Sequence, residues 1–153
     1  MDQERLHHEG ERVMKAKRIG YWVTLALFCL AMAGGGFADL TQNAAIMESM
    51  TRLGFPSYVA TILGFWKIAG VVALLLPGFG RLKEWAYAGF FFDLTGATAA
   101  HLFVKDAMPE PIVPLIILAI GMASWYLRPA SRCIGQMSIA AAADRTTHSV
   151  SDS

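Results

Sequence analysis

Charged residues and cysteines are both scarce in this chain. Lys, Arg, Asp and Glu together make up 16% of its 153 residues, whereas 55% are hydrophobic. Soluble domains average about 25% charged residues, so this composition is typical of a membrane protein. The two cysteines, Cys29 and Cys133, are predicted to lie within the bilayer and in the cytoplasm, respectively, and this difference in depth excludes a disulfide between them.

Motifs of soluble enzymes and of cofactor sites are also missing. The sequence contains no phosphate-binding loop, no paired-cysteine motif and no serine nucleophile elbow. His7 and His8 are adjacent, but they have no carboxylate or thiol partner at ligand spacing, so no metal site is predicted. Nothing indicates flavin, haem or iron–sulfur binding, so no resident cofactor is evident, and we expect no nucleic-acid partner.

Four long apolar runs contain most of the hydrophobic residues. A helix that crosses the hydrocarbon of a bilayer needs about 20 apolar residues. Residues 19–38 contain no charge, and residues 58–76 and 85–103 are each interrupted by one charged residue near the middle. Residues 112–127 would span only about 24 Å as a helix. The runs predict an all-α fold, an integral membrane four-helix bundle whose main partner is the lipid bilayer.

The apolar runs divide the chain into three regions. Residues 1–18 form a charged tail, which we expect to be cytoplasmic and to fold as a short helix on the membrane surface. Residues 19–128 form the membrane domain, and residues 129–153 a cytoplasmic tail that is predicted to be disordered. Within the membrane domain, residues 43–53 predict an amphipathic helix that is ended by Gly54 and lies on the outer surface.

Basic residues are distributed unevenly around the runs. Ten belong to the two tails and the second connection, whereas the first and third connections carry only Arg52 and Lys105. By the positive-inside rule, both termini are cytoplasmic in a multi-pass protein of the cytoplasmic membrane. A cleaved secretory signal ending at the small residues 31–33 is the alternative for the first run. We favour a span because the apolar residues continue to Ala38.

Two ionisable residues interrupt the second and third runs, and they are predicted to pair. Lys67 and Asp93 lie thirteen residues before and after Gly80, so two antiparallel helices joined there would bring both to one depth. A lone charge at the bilayer midplane costs about 3 kcal/mol or more. Small residues such as Gly89 flank both charges and indicate helix contacts. The pair is either structural, fixing helix register, or part of a proton or ligand site that Trp66 also lines.

Two further polar residues are candidates for the outer mouth of a proton path. His101 lies eight residues beyond Asp93, about 12 Å further out, and Asp39 ends the first run at a comparable depth. An imidazole suits such a role because it titrates near neutral pH. We favour the alternative that Asp39 caps or starts the surface helix and that His101 lies at the interface, because no ionisable group bridges that distance.

Several stretches of the sequence resemble the DoxX-like family of small bacterial membrane proteins over about residues 19–132. They are Leu-Gly-Phe-Pro-Ser-Tyr at 53–58, Leu-Gly-Phe-Trp-Lys-Ile-Ala-Gly at 63–70, Leu-Pro-Gly-Phe-Gly-Arg-Leu-Lys-Glu-Trp-Ala-Tyr-Ala-Gly-Phe-Phe-Phe-Asp at 76–93, and Ser-Trp-Tyr-Leu-Arg-Pro at 124–129. The resemblance implies a four-helix bundle. It also implies similarity to the membrane subunit of a thiosulfate:quinone oxidoreductase and to proteins associated with redox complexes. Lys67 departs from the broader DoxX pattern, which tends to have an acidic residue there.

Two classes of function remain open at this point. The first is an accessory of membrane redox processes that binds a diffusible quinone or a partner oxidoreductase, with Lys67, Asp93 and Trp66 lining the site. The second is a non-catalytic membrane scaffold or a carrier of small solutes or protons. Electron transfer would require a protein partner or a diffusible quinone, because the sequence has no cofactor motif of its own. The sequence predicts neither a catalytic residue nor an oligomeric state.

Overall fold

The computed structural model describes residues 2–129, with side chains from residue 10 onward. This part of the chain is entirely helical and contains no strand, as the apolar runs predict. Its five helices are α1 (Asp2–Leu40), α2 (Ala44–Leu53), α3 (Ser57–Leu75), α4 (Gly80–Phe103) and α5 (Ile112–Tyr126). The predicted carboxyl-terminal tail and Cys133 lie outside the described residues, apart from residue 129 at the start of that tail.

The first helix is longer than the apolar run that it contains. α1 has 39 residues, about 58 Å at the rise of an α-helix, and it includes residues 2–18 of the charged segment, which was expected to form a short surface helix. That expectation is wrong because no proline or turn motif separates the charged segment from the apolar one. Charged and apolar parts therefore form one continuous helix.

The second helix agrees with its prediction from sequence. The Asn43 side chain accepts a hydrogen bond from the backbone of Ala45, and Gly54 ends the helix in the left-handed region with φ of 77°. Asn43, and not Asp39, is therefore the residue that caps this helix. The half-buried residues of α2 are mainly its apolar ones, Ile46, Met47, Met50 and Leu53, together with Ser49.

The four longer helices pack against one another in pairs. α1 contacts α3 and α5, α4 contacts the same two helices, and α2 rests on α3. Aromatic residues of α1 and α4 fill the space between them, and two glycines make room for these rings. A Cβ on Gly70 would lie 2.5 Å from Phe90 Cζ, and a Cβ on Gly121 would lie 2.6 Å from Phe28 Cε2. A side chain at either glycine would displace the core.

Large apolar side chains also cover the outside of the molecule. Phe103, Leu30 and Phe92 have exposed fractions of 87%, 72% and 71%. Two described helical segments, Gly10–Leu40 and Ser57–Leu75, are long and apolar enough to cross a bilayer, and only 33% and 28% of their apolar windows are buried. α5 is apolar but has 15 residues, and α4 is long enough but more polar. A four-span bundle stays a prediction.

Candidate functional site

A close crossing of α1 and α3 brings charged residues of the two helices together. A Cβ added to Gly36 would lie 2.9 Å from Lys67 Cβ, and one added to Gly64 would lie 2.7 Å from the Gly36 carbonyl oxygen and 2.9 Å from Asp39 Cβ. Gly36 therefore faces Lys67, and Gly64 faces Asp39. On each helix the charged residue lies three positions after the glycine. Only glycine at both positions allows so close an approach.

Lys67 and Asp39 form the closest ion pair at this crossing. Lys67 Nζ donates a hydrogen bond to Asp39 Oδ2 at 2.8 Å. The side chains are 19% and 4% exposed, so the pair is largely removed from solvent. Asp39 was expected at the outer surface, at the depth of His101. The structure places the Asp39 side chain against Lys67 of α3, because α1 continues as a helix to Leu40.

Asp93 approaches the same ammonium group from α4. Its Oδ2 atom lies 3.8 Å from Lys67 Nζ, within the range of an ion pair but too far for a hydrogen bond, and its side chain is 17% exposed. The structure thus places Lys67 and Asp93 together and adds Asp39 as the nearer partner. One cation lies between two carboxylates that belong to different helices.

An apolar cavity of about 490 Å³ lies between α3 and α4 and reaches these charges. Its lining is mainly aromatic, aliphatic or small, and includes Leu63, Trp66, Gly70, Leu82, Trp85, Gly89 and Phe90. Lys67 and Asp93 are the charged residues of the lining and lie toward one end, whereas Ala73 and Leu82 lie toward the other. The volume is within the usual range for binding sites of small organic molecules.

Two tryptophans lie along the cavity and remain largely exposed. Trp66 is 66% exposed and Trp85 is 79% exposed. The cavity therefore opens at the outside of the packed helices. Gly89 was expected to mark a close helix contact beside Asp93, but a Cβ at Gly89 would meet no atom within 4 Å. The expectation is wrong at this position because Gly89 lines the cavity and no side chain packs against it.

His101 belongs to a separate cluster and does not approach Asp39 or Asp93. His101 Nδ1 lies 2.6 Å from Asp106 Oδ2, and Arg52 Nε lies 3.1 Å from Asp106 Oδ1. This cluster ties the end of α2 to the connection between α4 and α5. The described contacts contain no chain of ionisable groups from His101 to Asp93.

The opposite end of the helices contains a second set of polar contacts. Lys83 is 1% exposed and donates hydrogen bonds to the carbonyl oxygens of Ala73 and Leu74 at 3.1 Å, and to that of Leu76. These carbonyls end α3 and have no partner within their own helix. Tyr87 and Ser124, both buried, share a hydrogen bond of 2.9 Å that joins α4 to α5.

Glu84 joins the same two helices through charged contacts. Trp125 Nε1 donates a hydrogen bond of 2.8 Å to Glu84 Oε2, and Arg128 forms an ion pair with the other carboxylate oxygen. Burial would raise the pKa of Glu84, but the two hydrogen bonds and the charge of Arg128 outweigh this effect and lower the pKa below its ordinary value. Glu84 is therefore ionised at neutral pH.

Sequence reasoning missed the contact of Asp39 with Lys67 and the buried position of Lys83. The sequence does contain a signal for the contact of Asp39 with Lys67. Gly36 and Asp39 have the same spacing as Gly64 and Lys67, and the two helices are predicted to be antiparallel. Lys83 was counted only as one of the basic residues that set orientation.

The outward apolar side chains and the buried charges between helices are typical of an integral membrane protein. Comparison with known families agrees with this class and makes it more specific. The DoxX-like family matches residues 23–124, two thirds of the chain, and the chain therefore belongs to that family. Family membership and the two apolar helices together indicate a membrane protein. No significant match was found among curated proteins or among solved structures.

Proposed function

We propose that this chain is a multi-pass protein of the bacterial inner membrane that binds a diffusible quinone in the cavity between α3 and α4. Its four longer helices would form the membrane bundle, with both termini in the cytoplasm. Binding of a quinone would make it an accessory of membrane redox processes, acting with a partner oxidoreductase. The proposal does not assign the electron transfer itself to this chain.

The observation that supports the proposal is the shape and chemistry of the cavity. A quinone has a flat apolar ring that can lie against aromatic side chains and two carbonyl oxygens that accept hydrogen bonds. Trp66, Trp85 and Phe90 supply the aromatic surface, and Lys67 and Asp93 supply polar groups at one end. Because the cavity opens at the outer side of the helices, an isoprenoid tail can extend from it into lipid.

Blocking the cavity with a side chain tests the proposal. Gly89 lines the cavity, and a Cβ there meets no atom within 4 Å, so Gly89→Leu can start its side chain without a clash and place it in the cavity. Gly96 provides the matched control because it lies on the same helix in open space and does not line the cavity. Binding of a short-chain benzoquinone is measured by quenching of tryptophan fluorescence in mild detergent.

We expect wild type and Gly96→Leu to bind the quinone with saturation and Gly89→Leu to lose that binding. The double variant Trp66→Phe and Trp85→Phe should lose the saturable quenching, whereas Trp22→Phe should retain it. Lipid extraction from the purified protein gives an independent measure of bound quinone. Equal binding by the two leucine variants, or no saturable binding by wild type, would contradict the proposal.

A non-catalytic scaffold is the second candidate. It is favoured by the position of the Asp39–Lys67 pair at the close crossing of α1 and α3, where a structural pair would hold helix register. A scaffold requires no occupant in the cavity. If Gly89→Leu and wild type both lack quinone and both complement a deletion strain, the scaffold becomes the better interpretation.

A further inference from the structure

The charges at the end of the cavity do not balance when all three groups are ionised. Asp39 on α1, Lys67 on α3 and Asp93 on α4 would then have a net charge of −1. α5, the other helix packed against α4, contains no acidic or basic residue. An uncompensated charge in an apolar environment is unfavourable, and binding a proton is the usual way of removing it.

The geometry distinguishes the two carboxylates. Asp39 accepts the hydrogen bond from Lys67 and is nearly enclosed, with 4% of its side chain exposed. Asp93 lies 3.8 Å from the ammonium, and within the described side chains it makes no hydrogen bond. Asp93 also lines the cavity, whereas Asp39 does not. The proton therefore belongs on Asp93, the carboxylate that gains less from Lys67.

We propose that Asp93 is a neutral carboxylic acid whose hydroxyl donates a hydrogen bond to a carbonyl oxygen of the quinone, while Asp39 and Lys67 remain the charged pair. This inference rests on the proposed function for its ligand and assigns a specific role to one residue of that site. A neutral acid can donate a hydrogen bond that a carboxylate cannot. Asp93 would thereby select ligands that present an acceptor oxygen at this end of the cavity.

Infrared difference spectroscopy of the full chain in lipid nanodiscs tests the inference. A protonated carboxylic acid gives a carbonyl stretch that is separate from the bands of carboxylates. We expect wild type to show this band at neutral pH and Asp93→Asn to lack it. Asp39→Asn should lack it too, because Lys67 would then pair with Asp93 and keep it ionised. Glu84→Gln, at the other end of the helices, is the matched control and should retain the band.

Binding of a short-chain benzoquinone supplies the second measurement. The band of Asp93 should shift on binding. Asp93→Asn, which retains an N–H donor, should bind within about threefold of wild type, whereas Asp93→Leu should bind about tenfold more weakly, as expected for one lost hydrogen bond.

Different experimental results would contradict the inference about Asp93 and the proposed quinone binding. Quinone binding without the infrared band, or with a band that does not shift, overturns the inference and leaves the proposed function intact. Binding of a sodium ion in place of the proton would leave both carboxylates ionised, and the missing band would again overturn the inference. Absence of quinone binding by wild type overturns both. A band that persists in Asp93→Asn belongs to another residue and also overturns the inference.

Discussion

Removing the two carboxylates near Lys67 one at a time should affect stability very differently. Asp39→Asn replaces the charged acceptor of the 2.8 Å hydrogen bond from the half-buried Lys67 ammonium with a neutral amide. Such charge-assisted bonds are worth about 1.5–3 kcal/mol. Asp93 stays within ion-pair range at 3.8 Å, so Lys67 would not lose every partner. We therefore expect Asp39→Asn to lower the free energy of unfolding by about 1.5–3 kcal/mol.

Asp93→Asn should lower the free energy of unfolding by less than about 1 kcal/mol, because the ammonium retains Asp39 and no hydrogen bond is broken. If Asp93 were the sole partner of Lys67, as the sequence alone predicts, its removal would cost about 3–5 kcal/mol. The structure changes that expectation. Lys67→Met should now be the most damaging single change, at about 3–5 kcal/mol, because it leaves the buried Asp39 carboxylate without its cation.

Reversible unfolding in mixed detergent micelles, followed by circular dichroism, measures these differences. The expected order of destabilisation is Lys67→Met, then Asp39→Asn, then Asp93→Asn. Equal losses for the two asparagine variants would show that Asp93 is as close a partner as Asp39, which would refute the assignment of the pair. Glu84→Gln serves as a control for removal of a carboxylate away from this site.

Replacing all three charged residues with apolar ones separates structure from function. Lys67→Met with Asp93→Leu alone would leave Asp39 unpaired, so Asp39→Leu must be added. Apolar replacement of a whole buried ion cluster is often neutral or stabilising. We expect the triple variant to fold with near wild-type yield but to lose quinone binding. Retained binding would show that the cluster is architectural.

Two further predictions concern topology and pH. Reporter fusions at Ser49 should read as external and fusions at Gly80 as internal, as expected from the ten-to-two distribution of basic residues; an internal signal at Ser49 would refute the orientation. Because the pKa of Glu84 is lowered in the folded chain, its ionised carboxylate should stabilise the fold fully at pH values above 4.5, its ordinary pKa. This stabilisation should be lost as the pH falls through the lower pKa of the folded chain. Glu84→Gln should flatten that part of the curve of stability against pH. An unchanged curve would contradict the predicted contribution of Glu84.

Local sequence features were sufficient to predict most of the helices, although not the length of α1. Apolar run length predicts helices in the positions of α3, α4 and α5, because backbone groups in apolar surroundings must satisfy one another within a helix. Asn43 and Gly54 bound α2 through capping preferences that act within a few residues. Lys67 and Asp93 were predicted to approach because their distances from the turn are equal, and they do lie within ion-pair range.

Tertiary structure alone decided which groups touch and which stay apart. Asp39 becomes the closest partner of Lys67 because Gly36 and Gly64 let the backbones of α1 and α3 meet, a distance that periodicity does not encode. Gly89, by contrast, faces open space although it is just as small. A small residue permits close packing but does not require it. Whether a contact or a cavity results depends on the crossing of the two helices, and that crossing is set by every side chain along them.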